Sequence, residues 1–492
     1  MHRGASARRA GFFCLAFGSG FAVLTIEIAG ARLIAPVFGL SAVPWTAVIG
    51  VILAALAVGN HLGGRAADAG TLPLSRILFI AALTGVLPVV AVGFPGWARE
   101  AFGFIPGAVL SATILFAPSV LCLGAVVPFL IQGDTESLES VGRRSGDMGA
   151  AATAGSIAGS FLTGFVLLPL MPLPILLSAT AVMLLLLSGL AGRLIGDRVD
   201  RAGIAIGLIA LPGLGLLAAN QPPDTLHAEQ TIYSSVAVTE RPWRDGRVVR
   251  ELWQNGGSSS AEYASGEPAH VYAQVSLVLL DEVLGRADAV LVLGGAALTL
   301  PVAFSNRRPD ASIDVVEIDR AVTRLAVEHF EYGQSPRPRI EVVHDDARVF
   351  LRRSDRLYDL VYLDVFDHLL TVPWTMVTVE ALGDMSARLG PGGVFAANVL
   401  SPLNGGGTEF LERFRATLEA VFAVSRVYVT DSTLDAGATQ NLVVMAANDA
   451  SALPDVDWAQ TEISARGRPL TDSWAPVEYL QAKVFAQGFR WN

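Results

Sequence analysis

Charge is what this chain has least of. Of 492 residues only 16% are Asp, Glu, Lys or Arg, while 52% are hydrophobic, and a soluble globular chain usually carries about 25% charged residues. An ordinary water-soluble enzyme is therefore not expected. Neither is disorder, because so apolar a chain can repay its ordering entropy. Cysteine is nearly missing: Cys14 and Cys122 are the two present, which excludes a disulfide scaffold and a cysteine-ligated metal centre. His2 apart, the histidines form no H-x-x-x-H or clustered pattern, so no metal site is expected. The chain also lacks a Gly-x-Ser-x-Gly elbow and a Walker-type loop, and its second half has no cysteine nucleophile.

The charges that remain are unevenly placed. Residues 1–220 hold 12 Arg against 9 Asp and Glu, net +3, so residues 221–492 carry −13 of the chain's total of −10. The acidic part argues against nucleic acid as a partner and suits a small cationic substrate. The basic part is built of apolar runs near 11–38, 43–62, 75–95, 105–131, 149–170, 173–192 and 202–219. A bilayer span needs roughly 20 such residues, so about seven transmembrane helices are expected over 1–220. The first run is too long for a cleaved signal peptide. Glu27 and Arg32 lie inside it, where an ionisable group is costly. They are read either as an internal ion pair that fixes packing or as part of a substrate path.

Short loops orient such a bundle. Arg3, Arg8, Arg9, Arg65, Arg76, Arg143, Arg144, Arg193, Arg198 and Arg201 fall on one side, and Arg99 alone on the other. The reading is a multi-pass cell (inner) membrane protein with a cytoplasmic N-terminus. Seven spans send residues 221–492 outside. Either one run is re-entrant or lies in the interface, restoring an even count and a cytoplasmic second half, which is the expectation, or the second half faces outward.

After residue 220 the composition changes abruptly. Residues 221–280 alternate polar and apolar around a turn at Asn255-Gly256-Gly257, as in a small antiparallel β unit. From 281 to 492, short β-branched runs alternate with helical stretches: 289–293, 312–316, 340–343, 359–363 and 394–397. That pattern predicts a doubly wound α/β domain with a parallel sheet, closed by an antiparallel pair at 424–430 and 441–446. Ligands in such sheets bind beyond the carboxyl ends of the strands. Those ends carry Gly294 and Gly295, then Glu317, then Asp345 and Asp346, then Asp364 and Asp367. Gly-Gly lets backbone approach a nucleotide, and an acid about 20 residues later is placed to grip ribose hydroxyls. Alone, each is a common turn, a solvated carboxylate or a helix N-cap. Together, in this order, they indicate a nucleotide-type ligand.

These residues resemble the spermidine synthase (polyamine aminopropyltransferase) family, specifically its membrane-fused bacterial branch. The matching pieces are Leu291 to Gly295, Val315 to Asp319, Asp345 to Ala347, Tyr358 to Asp367 and Leu470 to Glu478, with Glu27 and Gly63 to Asp68 in the first half. The resemblance implies a Rossmann-like, class I methyltransferase-type domain behind the multi-span half. It implies decarboxylated S-adenosylmethionine or S-adenosylmethionine as donor, no metal, and a small cationic amine as acceptor. It gives Glu317 the ribose, Asp346 the adenine amino group, Asp364 the base beside the attacking amine, and Asp367 a hold on that amine. Ser260 and Tyr272 fall in the segments that cover both substrates, and self-association is implied. The sequence departs from the pattern at Ala296-Ala297-Leu298, where an Asp ordinarily holds the donor's amine, at Ser258 to Ser260, and around Tyr272. Three functions stay open: aminopropyl transfer, S-adenosylmethionine-dependent methylation of a membrane or lipid substrate, and a polyamine transporter or sensor with a non-catalytic nucleotide-binding domain.

Overall fold

The computed structural model describes residues 2–39, 42–134, 141–196, 201–218, 224–366, 371–456 and 459–486. The chain folds into two compact units, Met1–Pro222 and Pro223–Asn492.

Among the described residues, the first unit is all helix. Six helices are long and apolar enough to cross a bilayer: Ala7–Phe38, Ala42–Ala69, Ala117–Asp134, Val141–Leu170, Leu173–Ile195 and Arg201–Ala218. The expected run at 75–95 is instead a bent pair, Leu74–Val90 and Phe94–Phe102, which meet at 73°. It makes a seventh span only if the pair counts as one. The expected run at 105–131 divides as well, into the short apolar helix Phe104–Leu115 and the candidate span Ala117–Asp134. Proline marks both divisions. The bend falls at residues 91–93, directly before Pro95 in the first turn of Phe94–Phe102, and Pro118 sits in the first turn of Ala117–Gly124, where a missing N–H costs nothing.

Glycine sets the spacing of the first helix against Val141–Leu162. A Cβ on Gly155 would lie 1.9 Å from the Phe17 carbonyl oxygen, and one on Gly20 would lie 2.0 Å from that of Ala152. Only backbones without side chains approach so closely, the way small residues work in bilayer helices. Where the packing changes, Val141–Leu162 relaxes into a π-turn at Thr163–Leu167, and the Thr163 hydroxyl is hydrogen bonded to that of Thr25 at 3.0 Å.

The second unit holds two sheets. Strands β1 (Thr225–Gln230), β2 (Ser235–Pro242), β3 (Val248–Gln254) and β4 (Gly257–Tyr263) form an antiparallel meander in chain order. Asn255 and Gly256 join β3 to β4 with φ of +49° and +81°, the two left-handed residues a tight hairpin turn demands. The large sheet contains β5 (Ala289–Leu293), β6 (Ser312–Val316), β7 (Ile340–Val343), β8 (Tyr358–Leu363), β9 (Leu389–Ser401), β10 (Val424–Val429), β11 (Gln440–Ala447) and β12 (Gln460–Thr461). Its order is β12-β10-β11-β9-β8-β5-β6-β7. β7, β6, β5, β8 and β9 run parallel, and β11 inserts antiparallel between β9 and β10. This is a Rossmann-like, methyltransferase-type sheet.

The continuous apolar strands follow from burial on both faces. Val290, Val292, Leu360 and Tyr362 enter one core, while Leu291, Leu293, Val361 and Leu363 enter the other. The order of connections reverses at β5, between β6 and β8. Ligands of open α/β sheets bind at such a point.

Gly155→Ala forces the first helix and its neighbour apart, an overpacking cost of roughly 1–3 kcal/mol. Gly149→Ala, in the same helix with nothing within 4 Å of the new Cβ, raises stability by up to about 1 kcal/mol. Thermal unfolding of both variants in detergent checks the contrast, and equal melting points would contradict the close approach.

Candidate active site

The turn after β5 is built so that backbone, not side chain, faces the strand ends. Gly294 has φ +92°, and a Cβ there would lie 2.3 Å from the Asp364 carbonyl oxygen. Ala296 and Leu298 also adopt positive φ, +44° and +61°, a strain that L-residues accept only where surrounding contacts hold it. Glu317, at the end of β6, is what holds it. Its Oε2 accepts from Gly295 N at 3.0 Å and Ala296 N at 3.1 Å, and its Oε1 accepts from Asp319 N at 2.9 Å. Burial raises the Glu317 pKa, and the three amide hydrogen bonds oppose that shift. A carboxylate has about four acceptor positions, so Oε1 keeps capacity for a ligand hydroxyl.

Asp364 follows β8, directly beside the glycine turn. Because Leu363 lies level with Ala397 in the parallel ladder, Asp364 comes level with Asn398. Asn398 Nδ2 donates to Asp364 Oδ1 at 2.9 Å, and Asn441 Nδ2 on β11 donates to Asn398 Oδ1 at 3.0 Å. On the other side the Tyr272 hydroxyl donates to Asp364 Oδ2 at 3.2 Å. Burial pushes the Asp364 carboxyl up to about 6, against the lowering pull of Asn398 and Tyr272. Although densely surrounded by protein atoms, Asp364 keeps partial exposure. Burial and the neighbouring Asp364 charge push the Tyr272 phenol far above its usual range, so it stays a neutral donor.

The small sheet supplies another wall. Ser260 on β4 accepts from Ala297 N at 3.4 Å. The Ser258 hydroxyl donates to Glu251 Oε1 at 2.8 Å and is also 3.0 Å from His270 Nε2. Glu251, fully buried, is paired with Arg241. Burial, then the Arg244 charge, lowers the His270 pKa to about 4, so the ring is neutral at pH 7. It stands between Trp243 and Tyr272, with ring centroids 5.9 and 5.7 Å away.

These groups line one cavity of about 1300 Å³. Gly294, Gly295, Glu317, Asp346, Asp364, Tyr272 and Ser260 all contribute to it. Asp346 also N-caps the helix Ala347–Arg353, accepting from Val349 N at 3.0 Å. Its Oδ1 is thus the cap, and a ligand would have to use Oδ2. Asp367 lies outside the described residues. Arg241 and Arg244 face a larger acidic set that includes Glu251, Asp345, Asp346, Asp364 and Asp431. A cation is favoured there. Among the described residues no group of three His, Cys, Asp or Glu is arranged to hold a metal.

Asn398, Asn441 and Glu251 were not read from the sequence, whereas His270 falls in the covering segment around Tyr272 that the resemblance implied. Asn398 had a usable signal: it interrupts the apolar run of β9 at its carboxyl end, where the reading of strand ends stopped one strand short. Asn441 and Glu251 had none, since their roles depend on which strands become neighbours.

Stability gives a test of the buried carboxylate. Folding raises the Asp364 pKa from 3.8 to about 6, so the folded state favours the protonated form. The native state is therefore penalised progressively as pH climbs from about 4 to 6, and fully above that. Asp364→Asn removes the penalty. Its melting temperature exceeds that of the parent at pH 8, and the advantage vanishes near pH 4. An advantage that grows towards low pH would contradict the assigned environment.

No family model matches the chain. A polyamine aminopropyltransferase of Vibrio vulnificus is 25% identical over 203 residues, covering 40% of this chain and 64% of that protein. A probable polyamine aminopropyl transferase of Bifidobacterium longum is 26% identical over 225 residues, covering 40% and 49%. The chain thus spans about half to two thirds of the length of these relatives. Polyamine aminopropyltransferase 1 of Streptomyces coelicolor is 25% identical over 391 residues and covers 72% of this chain and 68% of its own, more of this chain than either unit alone supplies. Among solved structures, a probable spermidine synthase from Corynebacterium glutamicum aligns at TM-score 0.40 and 19% identity, over 56% of this chain and 97% of that one. Spermidine synthase from Thermotoga maritima gives 0.39 and 18%, over 54% and 84%. These curated relatives make the chain similar to the spermidine synthase (polyamine aminopropyltransferase) family.

Proposed function

We propose that the second unit is a transferase that moves an aminopropyl group from an S-adenosyl sulfonium donor to an amine, with Asp364 as the base. The observation that carries this is the Asp364 carboxyl, hydrogen bonded by Asn398 and Tyr272 and pushed up to about 6 by burial, in the same cavity as the glycine turn and the Glu317 carboxylate.

The chemistry asks little more of the protein. A carbon bonded to a sulfonium is already activated, so alignment of the attacking amine supplies much of the rate. The amine lone pair forms the new C–N bond, the C–S bond breaks, and its electron pair leaves with sulfur as a neutral thioether. The amine reaches the site as an ammonium with pKa ~10.4 and must lose a proton first. An ordinary carboxylate at 3.8 lies more than six units below it. A base at about 6 narrows the gap by about two units, or about 3 kcal/mol of the proton-transfer cost. Asn398 and Tyr272 keep the carboxylate aimed while it attracts the cation and then takes its proton. Glu317 would hold the donor ribose, the Oδ2 of Asp346 its adenine, and Ser260 and Tyr272 would close over both substrates, with Asp367 assisting on the amine.

A second reading is methyl transfer from S-adenosylmethionine to a membrane-delivered acceptor. The feature favouring it is the turn itself: Ala296 and Ala297 put no carboxylate where the donor's amine would sit.

Asp364→Asn lowers turnover about 10²- to 10⁴-fold, the usual contribution of a positioned base, while donor affinity by calorimetry stays within a few-fold. The parent's rate falls as pH drops through about 6, because protonated Asp364 cannot accept a proton. A pH profile flat from 5 to 8 would remove Asp364 from the role. Mass spectrometry with each sulfonium donor and a polyamine mixture separates aminopropyl from methyl transfer.

Six apolar helices, with the bent pair as a re-entrant segment, would return the chain to the side of its N-terminus. We therefore place the second unit in the cytoplasm, where sulfonium donors are made. A cysteine at exposed Asp355, in a background with Cys14 and Cys122 replaced by Ala, stays unlabelled by an impermeant maleimide in intact cells and is labelled after lysis. Labelling in intact cells would reverse the orientation.

A further inference from the structure

The cavity is larger and more apolar at its opening than a sulfonium and a short polyamine require. Its volume of about 1300 Å³ exceeds the roughly 300–1000 Å³ that holds one drug-sized ligand. Three large apolar side chains line it while remaining strongly exposed: Tyr233 at 43%, Val271 at 43% and Trp374 at 40%. Side chains that line a cavity and also meet solvent stand at its mouth.

They come from three separate segments, each held in shape by hydrogen bonds. Tyr233 sits in the β1–β2 turn, where Thr231 Oγ1 accepts from the amides of Tyr233 and Ser234 at 3.0 and 2.9 Å and donates to Asp319 Oδ2 at 2.6 Å. Trp374 opens a 3₁₀ turn whose Thr375 carbonyl accepts from Arg348 Nη1 at 2.8 Å. Val271 begins the helix that carries Tyr272, just after His270, which the Ser258 hydroxyl holds. Exposed apolar groups on a fixed frame mark a place where something apolar binds. Deeper in the same cavity lie Glu251, Glu317 and Asp364, while Asp346 is exposed. One site thus offers acid at its base and hydrocarbon among the groups at its mouth.

We propose that the acceptor is an amphiphilic amine: an ammonium head that reaches Asp364 and an apolar body that rests on Tyr233, Val271 and Trp374. This rests on the aminopropyl-transfer reading. The bond changes are unaltered: the head's nitrogen forms the C–N bond, sulfur leaves with the C–S pair, and Asp364 takes the proton. The apolar body adds affinity without chemistry, about fourfold for each methylene removed from water. A chain that also carries six candidate bilayer spans meets such amphiphiles at high local concentration.

The experiment uses the full chain in phosphatidylcholine nanodiscs, whose quaternary headgroup offers no amine to alkylate, with decarboxylated S-adenosylmethionine as donor. Putrescine and N-dodecylputrescine compete as acceptors, and products are counted by mass spectrometry. The expected result is a kcat/KM at least 100-fold higher for the dodecyl amine, carried by KM. Trp374→Ala and Tyr233→Ala should each cut that preference about tenfold. A further arm with phosphatidylethanolamine in the nanodisc tells a bilayer headgroup from a free amphiphile, and alkylation of either supports the proposal. Preference for putrescine, or a preference untouched by both variants, overturns it while leaving aminopropyl transfer standing. Donor that binds without alkylating any amine overturns both.

Discussion

The second unit depends on one awkward placement: a carboxylate at the carboxyl end of β8, too enclosed for water to solvate it fully. Asp364 is kept there by two donors from opposite sides, the Tyr272 hydroxyl and the Asn398 amide. Neither carries a positive charge, so neither stabilises the anion as an arginine would. The result is a carboxyl half-titrated near pH 6, which is costly for folding and useful for taking a proton from an ammonium.

The same strand end explains the glycine turn. With β5 and β8 adjacent in the sheet, the Asp364 carbonyl presses against the Cα of Gly294, and no side chain fits between them. The strained residues that follow are fastened by Glu317 from β6. Asp364, the glycine turn and Glu317 therefore come from neighbouring strands, and displacing one displaces the others. The β unit completes the enclosure through Ser260 and the Glu251–Ser258–His270 set, groups that lie far from the turn in sequence.

Much of this was legible before any coordinates. The parallel strands were visible because both faces of the sheet are buried and each run is mostly apolar, with Asp314, Glu341 and Asp359 as single internal acids. The acids at their ends were visible because they follow the runs at the side where ligands of such sheets bind. The hairpin at Asn255-Gly256 announced itself through the two residues that tolerate left-handed backbone. The apolar half was less faithful to its pattern. Hydropathy counted seven runs, but breaks ahead of Pro95 and Pro118 divide two of them, so composition alone overstated the number of straight helices. Periodicity reports which residues avoid water and says little about whether the helix that carries them is continuous.

What the sequence determined by itself is local or periodic: an apolar half and an acidic half, strands with their terminal acids, and the turn residues. Each depends on neighbours within a few positions, so a linear reading recovers it. Only the tertiary structure decided that Asn441 steadies Asn398 and Asn398 steadies Asp364, that Tyr272 reaches the same carboxylate from 92 residues away, and that Tyr233, Val271 and Trp374 line one cavity. Those pairings follow from the order in which strands lie side by side, and that order is set by the packing of the whole sheet.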